Sequence, residues 1–93
     1  MKPEDMEMDE DFIRTLPGLA RVNAAVELAL YRFEDSAFAR NHLAYSVKSI
    51  LPEERLVNLQ ESMRNHIKLL VRDGRIKRTE YKRFGQYLYR SVK

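Results

Sequence analysis

Cysteine is absent from the 93 residues. That excludes a disulfide scaffold, thiolate metal sites and cysteine nucleophiles, and it fits a reducing compartment. Glycine and proline number three each, a composition of folded helices and not of a disordered tail. No apolar run approaches the ~20 residues that cross a bilayer, because Arg, Asn or Glu interrupts each one. A basic start followed by an apolar stretch is missing too: the chain opens MKPEDMEMDEDF, which does not match a secretory signal. The expectation is a soluble protein without a membrane role, cytoplasmic or, in a eukaryote, nuclear.

What is present is 44% hydrophobic and 33% charged residues. A chain of this length buries roughly 60–65% of its unfolded surface, enough for one core. We read residues 12–93 as a single helical domain behind an acidic head, residues 1–11, expected to be flexible. Charge is unevenly spread. The head carries one Lys against six acids, residues 12–63 balance six against six, and residues 64–93 hold ten basic side chains against two acids. Such a gradient points to an anionic partner, most often nucleic acid.

The hydrophobic pattern predicts an all-α fold, a small bundle of four main helices at about 19–35, 37–51, 53–72 and 79–92. The first organises the rest. In Leu19 to Phe33, Val22, Ala25, Val26, Ala29 and Phe33 line one side while Ala24, Leu28 and Tyr31 line another, so the helix needs cover from two directions. That cover comes from its own chain or from a second copy, and a homodimer through Leu19–Phe33 is one expectation. Asp35 and Ser36 mark a bend before Ala39, Leu43, Val47 and Ile50. Pro52, Glu53 and Glu54 read as a helix start, and Leu56, Leu59, Met63, Ile67 and Leu70 recur at three- and four-residue steps. Gly74 supplies a left-handed cap. Thr79 would then cap a last helix with Tyr81, Phe84 and Leu88 on its inner side and Tyr89 outside.

Nothing in the chain assembles a catalytic constellation. His42 and His66 lack a neighbouring ligand, no serine sits in a nucleophile elbow, and no glycine-rich phosphate loop occurs. The reading is of a protein that is not an enzyme, with no cofactor. The string DGRIKRTEY resembles the second half of an EF-hand loop, yet the first and third places fall on Leu69 and Val71, which cannot ligate calcium, and Lys77 and Arg78 repel a cation. No metal is expected there.

The basic stretch remains. Arg72, Arg75, Lys77, Arg78, Lys82 and Arg83 are the residues expected to meet phosphates, with Tyr89 placed to stack on bases. A merely solvated face is the alternative. Three resemblances add context. LYR at Leu30–Arg32 and Leu88–Arg90 resembles the short signature of mitochondrial LYR assembly factors, small basic helical bundles. RNHLAYSVKSILP resembles the first helix of KIX domains, and DGRIKRTEYKRF a turn in SRI domains. Those two families are helical modules that bind flexible peptides, which implies docking in a groove between helices. The sequence therefore suggests a small non-catalytic regulator that binds nucleic acid through its basic end, the alternative being an adaptor or inhibitor that docks an acidic or amphipathic protein segment. No clear helix-turn-helix with a polar recognition helix reads out of it.

Overall fold

Ala25, Val26, Leu28, Ala29 and Leu30 are all buried on a single helix, as their spacing requires. In the computed structural model, which describes residues 10–92, this helix is the second element of the chain. A short helical segment, α1 (residues 10–15), precedes it. Then come α2 (Gly18–Arg32), α3 (Arg40–Ile50), α4 (Leu56–Arg72), β1 (Ile76–Arg83) and β2 (Gln86–Ser91). Most of the acidic head, residues 1–9, lies outside the described residues; Glu10 and Asp11 belong to α1, where Glu10 pairs with Arg14 at 3.0 Å and with Arg32 at 2.5 Å.

Helix α3 sits between α2 and α4 and packs on both. Leu43, Ala44, Val47 and Ile50 of α3 meet Leu59, Met63, Ile67 and Leu70 of α4, and with the α2 residues and Ile13 they form one core. The cover that α2 needs thus comes from within one chain, and of its apolar residues only Leu19, 80% exposed, and Ala20, both in the first turn, stay open.

The all-α expectation is overturned: the fold is mixed, because residues 79–92 are not helical. Ile76–Arg83 and Gln86–Ser91 pair as an antiparallel hairpin. Its turn is Phe84-Gly85, with φ of +52° and +76°, the two-residue geometry whose twist matches that of paired strands. Tyr81 and Phe84, expected on the inner side of a last helix, are both exposed. The strands are held by the core instead. Ile76 is buried, and Tyr89 exchanges two backbone hydrogen bonds with Phe38, N–H to O at 2.9 and 2.8 Å. Phe38 is fully buried, its ring 5.3 Å from Phe33 and 6.3 Å from Tyr89. Among the described residues the sheet order is therefore Phe38, β2, β1, with the outer side of β1 unpaired.

Helix starts differ as well. Pro52, Glu53 and Glu54 form the turn and not the first turn of α4, which begins at Leu56. Leu51 is fully buried, so the chain must reverse directly after it. The Lys48 ammonium donates to the carbonyls of Pro52 and Glu54, and Arg21 of α2 holds Glu54 at 3.0 Å. Helix α3 likewise starts at Arg40, not Ala37, because Phe38 is engaged with Tyr89. At the far end of α4 Gly74 adopts φ +75°, and the Arg75 N–H reaches the Leu70 carbonyl at 2.9 Å, the glycine cap expected there.

Candidate nucleic-acid interface

With Leu59, Met63, Ile67 and Leu70 turned to the core, α4 presents Asn58, Glu61, Arg64, Asn65, Lys68 and Arg72 to water. One flank of that face borders a groove. Arg40 at the start of α3, Arg64 and Lys68 of α4, and Gly85, Gln86, Tyr87 and Tyr89 of the hairpin line it. It continues past Asn41, Val57, Gln60 and Glu61. The groove is built by the chain's own polar contacts. Gln86 Oε1 accepts the Asn41 N–H at 3.1 Å, and His42 Nδ1 accepts the Ala39 N–H at 3.1 Å, so two open donors at the start of α3 are satisfied.

The hairpin carries Lys77, Arg78, Lys82, Arg83 and Arg90 against one acid, Glu80. Two of these cations share a ring: the Arg78 guanidinium lies 4.4 Å and the Lys82 ammonium 4.5 Å from the centroid of Tyr87. Aromatic support orders such side chains without neutralising them. Lys77 stands opposite Arg90 across the strands, a like-charge pair that favours an anion between them.

The seven residues singled out from sequence fall into different situations. Arg78, Lys82 and Arg83 sit along the hairpin, Lys77 is exposed beside Arg90, and Arg72 pairs with Asp73 at 3.2 Å on the surface of α4. Arg75 is committed elsewhere: its two terminal nitrogens donate to the Glu27 carboxylate at 2.7 and 2.6 Å, tying the end of α4 to α2. Tyr89, expected outside, is half-buried against the core beside Phe38. Arg40, Arg64, Lys68 and Tyr87 were not singled out. The signal for Arg64 and Lys68 was their place on the polar face of α4; for Tyr87 it was the alternation Tyr87, Tyr89, Ser91, which belongs to a strand.

The Arg75 pair lies outside that groove and shapes a separate concavity that Asn23, His66 and Asp73 also line. The hydrogen bond from Arg75 holds the Glu27 carboxyl below its ordinary range, and the same bond raises Arg75. Burial pushes His66 down, with the nearby Glu27 charge acting against that. Among the described residues no three His, Asp or Glu side chains converge as metal ligands, and no helix is long and apolar enough to cross a membrane. Compared with known proteins, the chain matches no family model, no curated protein and no solved structure.

Proposed function

We propose that the protein binds duplex DNA, with α4 in the major groove and the hairpin alongside. The order helix, one-residue strand, helix, turn, helix, hairpin is that of a helix-turn-helix carrying a wing. The observation that supports it at the level of residues is the shared groove: Arg40, Arg64 and Lys68 on the helices and the cation-bearing hairpin border one concave surface. Helix α4 offers Asn58 and Glu61 in its first two turns, where a recognition helix reads base edges, and Asn65 midway along the same face. Asn suits adenine and Arg suits guanine through paired hydrogen bonds, while Lys68 and the hairpin cations suit phosphates.

Fluorescence anisotropy with a labelled mixed-sequence duplex, across a salt series, tests this reading. Each phosphate contact contributes a slope of about −0.9 in log K against log salt. Lys68→Ala is expected to weaken binding to all sequences and to reduce the slope by about 1. Absence of duplex binding at low salt removes the reading, and a protein partner that survives nuclease treatment would turn it to the interaction module instead.

A further inference from the structure

We propose that Phe84 is an apolar wedge that enters the duplex between stacked base pairs at the minor groove. The proposal rests on the DNA-binding reading and adds how the hairpin tip is used. Phe84 occupies the first central position of a turn that needs positive φ at both central residues. Asn, Asp or Gly take that conformation at little cost, whereas an aromatic side chain at φ +52° is a strained choice. The ring gains no core packing in return: it is 87% exposed, the most exposed large apolar side chain among the described residues, and it lies outside the core.

Strain without a packing return directs attention to what the ring meets outside the chain. Its neighbours are cationic. The Arg83 guanidinium is 5.5 Å from the ring centroid, and Lys82 stands one residue further back on Tyr87. Phe84 follows the last residue of β1 and precedes Gly85, which lines the groove beside Arg64 and Lys68, so the exposed ring stands at the rim of the cationic concavity. An apolar side chain thrust forward by flanking Arg and Lys is the equipment that unstacks a base step while phosphates on either side are neutralised. A lipid surface fits less well, since interfacial binding scales with apolar area and the tip offers one ring.

The test uses the full chain with a duplex carrying 2-aminopurine, whose fluorescence rises on unstacking. Wild type is expected to raise that fluorescence on binding. Phe84→Asn supplies the residue the turn prefers, so its thermal midpoint is expected to rise while duplex affinity falls about tenfold and the fluorescence response disappears. Phe84→Leu, still apolar, is expected to keep most of the response. Tight binding by wild type with no fluorescence change, or Phe84→Asn binding as well as wild type, overturns the wedge and leaves DNA binding standing. Binding to anionic lipid vesicles but not to the duplex overturns both.

Discussion

Glu27 and Arg75 are 48 residues apart in the chain, yet two hydrogen bonds to one carboxylate join them. Both side chains are about half exposed, so water screens the pair and its worth is at most about 1 kcal/mol. Its pH dependence has a definite sign. Glu27 is held below its ordinary range by Arg75, so this stabilisation is fully present above pH ~4.3 and is lost as pH falls through the lowered folded value. His66 acts in the same direction from a different cause. Burial disfavours its charged form, so the folded state begins to lose stability as pH drops below ~6.5. The Glu27 charge works against that loss. Glu27→Gln is therefore expected to lower the His66 titration midpoint further, followed through the imidazole proton shifts in NMR, and to flatten the acid limb of stability below pH ~4.3. A midpoint that stays put or rises would show that the two groups are not coupled.

At the scale of elements, the hairpin's register is set by one side chain. Three residues separate Arg78 from Lys82 on β1 where Leu88 alone separates Tyr89 from Tyr87 on β2. The Thr79 hydroxyl spans that irregularity, donating to the Leu88 carbonyl at 2.9 Å and accepting the Tyr81 N–H at 3.2 Å. Thr79→Val keeps the shape and removes both bonds, at an expected cost of about 1–2 kcal/mol. Faster amide exchange at Tyr81, with exchange in α2 and α3 unchanged, is the expected signature; equal loss everywhere would mean that the hairpin does not open separately. Thr79 also shows why this element was hard to read. Three helices were legible because Leu59, Met63, Ile67 and Leu70 repeat with a helical step and are all buried. Tyr81, Phe84 and Leu88 repeat with the same step, so the pattern was the same and the outcome different. What decided it was Phe38, distant in the chain, whose backbone pairs with Tyr89. The turn signal, Phe-Gly, lacks the Asn or Asp that marks such turns. The candidate site was partly legible for a related reason: cations can be counted in a sequence, but whether Arg75 spends its charge on Glu27, or Arg64 faces the hairpin, depends on which elements meet.

For the whole molecule, the charge gradient matters more than the net charge of +3. Residues 1–9 contain Lys2 and four acids, Glu4, Asp5, Glu7 and Asp9, so their removal takes the formal net charge from +3 to +6. If the head competes with DNA for the basic surface, the shortened chain binds a duplex severalfold more tightly at low salt. The two proteins converge once screening shortens to ~10 Å near 0.1 M salt. Equal affinity at low salt would separate the head from DNA binding. The gradient also guards an open margin of the sheet. The outer side of β1 has no ladder partner among the described residues, and Lys77, Lys82 and Arg83 along that strand repel a second copy that would zip onto it. A polyanion that cancels those charges removes the repulsion at the same moment. Turbidity should accordingly peak where protein and nucleic acid are mixed at matching charge and clear again with either in excess, making the protein's colloidal behaviour hostage to stoichiometry.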